Sequence, residues 1–143
     1  MRDNVKARLS RDQIVGKRVR FVYRSEWDED DDGYAGCTTF VELDDGLLFE
    51  LSANTGKVLP IESIARTEVV LLKAEKKILE ACAGKRVEEV VASELWPDIG
   101  LLLDDGTILF SGECDFRRVG PCVGDTRAPD DFRVSEFTPY WPQ

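Results

Sequence analysis

The tetrapeptide Gly16-Lys17-Arg18-Val19 returns as Gly84-Lys85-Arg86-Val87, and it does not return alone. Leu43-Asp44-Asp45-Gly46 comes back as Leu103-Asp104-Asp105-Gly106, each followed by an apolar run ending in Phe49 or Phe110. Lys57-Val58-Leu59-Pro60 is echoed by Arg118-Val119-Gly120-Pro121, and an acid with a tryptophan lies between the first two markers in each half: Glu26-Trp27 and Glu94-Leu95-Trp96. Three matches in one order point to a duplicated unit. The offset shrinks from 68 to 60 because the first half carries about eight extra residues in its loop, which take in the acidic run 28–32.

Each half reads in the same order. Ser10 can cap a short helix that Gly16 ends, and the spacing of Ala74, Ile78, Leu79 and Cys82 predicts a helix over 74–83 before Gly84. Next comes a strand in which Val19, Phe21 and Tyr23 alternate with Arg18, Arg20 and Arg24, giving one apolar and one basic face. Runs 38–43 and 47–51 meet at Asp45-Gly46, and runs 99–103 and 107–110 meet at Asp105-Gly106. Asp-Gly supplies the positive φ that a tight hairpin requires. Thr67 to Leu72 reads as a further strand, with 132–137 as its counterpart.

The expected fold is therefore α+β: two tandem helix-plus-antiparallel-strand repeats, about 10–72 and 74–137, packed as one pseudo-two-fold, β-rich domain over 1–143, with an aromatic tail at 138–143. Neither half carries enough apolar surface to stand alone, and no Gly/Ser/Pro-rich linker divides them.

Charge is unevenly laid out. The formal net charge is −9; residues 1–24 hold +6, residues 25–33 hold −6, and the remainder holds −9. Outside its basic beginning the chain repels phosphate backbones and anionic lipid, so nucleic acid and membrane are not expected partners and a basic protein is. The beginning of the chain has no signal-peptide apolar run, and no stretch reaches the length of a membrane span, which predicts a cytoplasmic protein. Cys37, Cys82, Cys114 and Cys122 lack disulfide-scaffold spacing or any Cys-x-x-Cys pair, so free, mostly buried thiols are expected.

The chain contains no histidine, which removes the usual general base and the commonest metal ligand. No Gly-x-Ser-x-Gly elbow or Gly-rich phosphate loop occurs, and Asp44-Asp45 and Asp104-Asp105 sit where turns want aspartate. No cofactor is expected.

The stretch Trp27-Asp28-Glu29-Asp30-Asp31-Asp32-Gly33-Tyr34 is the feature closest to a functional motif. Asp28, Asp30, Asp32 and Gly33 fit the first half of a calcium loop, but Thr39 stands where the bidentate glutamate belongs. The plain reading is a solvated hairpin tip. The functional reading is a docking loop: Trp27, Asp28, Glu29, Asp30, Asp31, Asp32 and Tyr34, with Trp96, form a protein-binding surface, since aromatics beside charge carry most interface hot spots. Function is then a small, acidic, non-enzymatic protein that binds another protein, as an inhibitor or immunity-type neutraliser of a basic partner. The alternative is a small-ligand or divalent-metal domain with Asp28, Asp30 and Asp32 as ligands at the acidic loop or in the cleft between repeats. A homodimer is the third option.

Overall fold

The computed structural model describes residues 7–51, 61–93, 99–115, 118–127 and 137–141. The strands, in order, are β1 (Ala7–Arg8), β2 (Val19–Arg24), β3 (Asp28–Glu29), β4 (Ala35–Gly36), β5 (Thr39–Leu43), β6 (Leu48–Leu51), β7 (Glu62–Ser63) and β8 (Leu72–Lys73); helix α1 (Lys76–Cys82) follows, then β9 (Val87–Ser93), β10 (Ile99–Leu103), β11 (Thr107–Asp115), β12 (Arg118–Asp125) and β13 (Phe137–Pro139). They form a six-stranded sheet, β1-β7-β6-β5-β2-β8, and a seven-stranded sheet, β13-β9-β10-β11-β12-β4-β3. All pairings are antiparallel except β12 with β4.

The α+β expectation is corrected: 52% of the structure is strand and 12% helical, with one α-helix. The segment after Ser10, expected as a helix, makes only a 3-10 turn at Arg11–Gln13, in which Gln13 Oε1 accepts from the Ser10 amide at 2.9 Å. A stretch this short cannot recover the cost of helix nucleation. Its end is instead drawn into β-type pairing, the Gly16 amide donating to Val87 O at 2.8 Å. Two tandem helix-plus-strand repeats are therefore not what the halves share.

What the Gly-Lys-Arg-Val stretches share is one junction. Gly16 N donates to Val87 O and Gly84 N to Val19 O, while Val19 N donates to Lys85 O and Val87 N to Lys17 O, all at 2.8 to 2.9 Å. Gly16 and Gly84 take φ of 94° and 80°, a left-handed backbone that disfavours a side chain. Lys17 pairs with Asp45 and Lys85 with Asp105, holding each hairpin to the junction. The bonded Lys85 ammonium brings the Asp105 carboxyl down to about 2, and Lys17 lowers Asp45 in the same way.

One apolar interior serves both sheets. Val22, Val41 and Phe49 of the first, Ile14 of the turn before β2, Ile78 and Cys82 of α1, and Val90, Leu101 and Leu109 of the second belong to a single buried cluster. Buried Thr39 donates from Oγ1 to Ser111 Oγ at 3.1 Å, tying β5 to β11. The tail residues Tyr140 and Trp141 pack on the same interior, and the Tyr140 amide donates to Val90 O at 2.8 Å.

Three further expectations change. The simple alternation along β2 fails, because the register against β5 shifts between Val19 and Phe21. This bulge at Arg20 sends Val19 and Val22 into the interior and turns Phe21 and Tyr23 away from it, their rings 4.7 Å apart. The aromatics thus share the outer face with Arg20 and Arg66, while Arg24, in the regular part of the strand, still opposes Tyr23. There, nearly buried Glu42 accepts from Tyr23 Oη at 3.1 Å, and Arg66 Nη1 lies 3.1 Å from its Oε2. Second, the strand expected over 67–72 is a 3-10 turn at Arg66–Glu68, and only Leu72–Lys73 pairs, with Tyr23 and Arg24. Arg66 Nη2 donates to Tyr23 Oη at 3.0 Å, fastening the turn over the sheet instead of letting it run beside it. Third, Cys37 and Cys82 are free thiols, but Cys122 is disulfide-bonded. Spacing along the chain did not show this, because which thiols come within bonding distance is set by the fold and not by sequence separation.

Among the described residues no helix is long and apolar enough to cross a membrane.

Candidate protein-binding surface

The acidic run is the tip of a small hairpin. Asp28 and Glu29 pair with Gly36 and Ala35, and the turn closes with Asp30 N donating to Tyr34 O at 2.8 Å. Asp30 Oδ1 accepts from the amides of Asp32 and Tyr34, both at 2.9 Å, and Gly33 takes φ of 85° to complete the turn. At the neck, Ser25 N donates to Thr38 O and Thr38 N donates to Ser25 Oγ.

The hairpin belongs to the first half of the chain but to the second sheet. β4 runs parallel to β12, with Ala35 opposite Arg118 and Gly36 opposite Val119, and Cys37 N extends the ladder to Val119 O at 2.9 Å. Trp27 anchors it. A Cβ built at Gly120 would lie 2.8 Å from Cys37 Sγ and 3.2 Å from a Trp27 ring carbon, so the ring and thiol press on bare backbone. The guanidinium of Arg118 lies 4.3 Å and that of Arg24 5.6 Å from the Trp27 ring centroid, both within cation–π range. Burial pushes the Cys37 thiol up, against the opposing pull of Arg24 and Arg118.

Of the described basic run, Arg24 lies at the Trp27 ring, while three others are engaged away from the hairpin. Arg11 pairs with Glu89 through two hydrogen bonds, Lys17 with Asp45 and Arg20 with Glu42. Residues 28–34 are all exposed, leaving the five acids and Tyr34, 45% exposed, on the edge of the second sheet. A two-residue acidic edge strand also deters edge-to-edge pairing, a purely structural use of the same charges.

Two clefts flank the hairpin. One, about 310 Å³, runs along it between Asp28, Asp30, Tyr34 and Val119. The other, about 390 Å³, lies at its neck, where the 64–70 segment crosses the outer face of the first sheet. The only large hydrophobics exposed among the described residues are Tyr34, in the first cleft, and Val70, in the second.

Of the residues singled out from sequence, Trp27, Asp28, Glu29, Asp30, Asp31, Asp32 and Tyr34 are brought into one hairpin, with Trp27 as its half-buried anchor. Trp96 lies outside the described residues. Asp28, Asp30 and Asp32 are not gathered into a metal-holding group, and the described residues contain none. Sequence reasoning missed Gly120 and Arg118, which receive Trp27, because that contact joins positions far apart in the chain. It also missed Val70, which had been placed within a strand.

Comparison with protein-family models, curated proteins and solved structures gives no match for this chain.

Proposed function

We propose that this chain is a small, acidic, non-enzymatic protein that binds another protein, acting as an inhibitor or immunity-type neutraliser of a basic partner. The observation that carries the reading is the acidic hairpin, braced on β12 by Trp27 with its charges facing solvent and an exposed Tyr34 at its tip. Complementary charge steers association, and an aromatic anchor beside it provides the short-range contact. A surface already fixed in place loses little entropy on binding.

The test is capture from the native cell extract at low and then high salt. The unmodified protein is expected to retain a basic protein at low salt and release it at high salt. The variant Glu29→Gln/Asp31→Asn, which spares the turn-forming Asp30, retains none and melts at the same temperature. No salt-sensitive partner, or equal capture by the variant, removes the reading.

We propose a cytoplasmic location as part of this reading. A disulfide persists more readily in an oxidising compartment, so Cys122 tests this directly. Acid-trapped alkylation of denatured cells that labels Cys122 supports this location; a protected Cys122, bonded as in the structure, means that the protein works in an oxidising compartment.

A further inference from the structure

We propose that Cys37 exchanges into the disulfide held by Cys122, moving the bond onto the neck of the acidic hairpin and locking the hairpin covalently to β12. This goes beyond partner binding, since it is chemistry of the chain's own thiols.

The two sulfurs are brought to one face of one strand. Arg118, Gly120 and Cys122 are alternate residues of β12 and share a face, where the first two both meet Trp27. Cys37 lies on that face as well, since a Cβ at Gly120 would sit 2.8 Å from its Sγ. Cys122 is two residues further along, a rise of about 7 Å. Its sulfur leans back over that interval, 3.4 Å from Gly120 O and 3.2 Å from Gly112 O. Gly112 stands opposite Gly120 in the β11–β12 ladder, so neither strand sets a side chain at this level between the two sulfurs.

Cys37 is a free, half-buried thiol, whereas the free thiol of Cys82 is sealed in the interior and pushed up to about 12 by burial. Burial raises the Cys37 thiol too, but Arg24 and Arg118 oppose this and favour its thiolate, the form that attacks. The Cys37 thiolate attacks the Cys122 sulfur, a Cys37–Cys122 bond forms, and the bond that Cys122 holds in the structure breaks. The released sulfur departs as a thiolate and takes up the proton that Cys37 gave up. One disulfide and one thiol stand on each side of the exchange, so no oxidant is consumed. Among the described residues the hairpin pairs with β12 no further than the Cys37 amide, which leaves the neck free to make the short movement that brings the sulfurs into contact.

The test uses the full chain purified in air and held without reductant in mildly alkaline buffer. Samples are quenched in acid, alkylated with N-ethylmaleimide and digested with trypsin, which puts Cys37, Cys82, Cys114 and Cys122 on four separate peptides. With time the Cys37 peptide is expected to lose its label and to appear linked to the Cys122 peptide, while one other cysteine gains label in equal amount. The rate is expected not to depend on protein concentration, as an exchange within one chain requires. Cys37→Ser is expected to show no gain of label at any cysteine. A Cys37 that keeps its label, a link from Cys37 to a cysteine other than Cys122, or label gained elsewhere in Cys37→Ser overturns the proposal. So does a Cys122 already labelled at the outset, with no bond to pass on, and so does a link found only in dimers.

Discussion

Replacing Phe49 with alanine is expected to lower the stability of the whole molecule by about 3–5 kcal/mol, and to lower both sheets together. Phe49 is fully buried in the interior that also holds Val90, Leu101 and Leu109 of the second sheet. Removing the ring takes away its transfer free energy and leaves a cavity that neighbours on two rigid sheets can only partly fill. Denaturant titration followed by far-ultraviolet circular dichroism and by the amide spectrum of second-sheet residues should give one coincident, shifted transition. Two separated transitions would mean that the sheets hold independent cores.

Gly120→Val acts on the other junction. The first atom of the new side chain would sit within 3.2 Å of the Trp27 ring and closer still to Cys37 Sγ, before its two methyls are counted. Overpacking of this kind typically costs about 1–3 kcal/mol. Here the cheapest relief is expulsion of Trp27, since among the described residues the backbone of the hairpin is held to β12 by two residue pairs and the Cys37 amide. The variant is expected to be cut rapidly by protease between residues 27 and 37 and to lose salt-sensitive capture, while the Leu101 and Leu109 amides keep their positions. A variant that resists protease and binds normally would show that Trp27 does not hold the hairpin.

How much of this could be read from sequence depends on how local each cause is. The two Asp-Gly turns were legible because the residues that make them are adjacent: Asp45 Oδ1 accepts from Leu47 N and Asp105 Oδ1 from Thr107 N, with Gly46 and Gly106 both at φ of 91°. Helix α1 was legible for the same reason, its buried Ile78 and Cys82 lying one turn apart. The bulge at Arg20 was not, because alternation of residue type carries no mark of an extra residue in one strand. Nor was the turn at Arg66–Glu68, whose apolar Val69 and Val70 mimic a strand while Arg66 is claimed by Glu42 and Tyr23. Repetition of Gly-Lys-Arg-Val was visible, but its cause was a shared junction and not a repeated helix. The acidic hairpin was found as a hairpin. Its place on the second sheet was invisible, since the parallel contact of residues 35–36 with 118–119 spans most of the chain.

Amide hydrogen exchange at Cys37 and Asp30 tests most directly whether the acidic hairpin of the first half is a fixed edge of the second sheet. Cys37 N–H is bonded to Val119 O across the junction and Asp30 N–H to Tyr34 O within the turn. Both are expected to be protected, with Cys37 losing its protection in Gly120→Val while Asp44 N–H, bonded to Arg18 O in the first sheet, keeps it. Exchange of Cys37 at the rate of an unstructured chain in the unmodified protein would contradict the account.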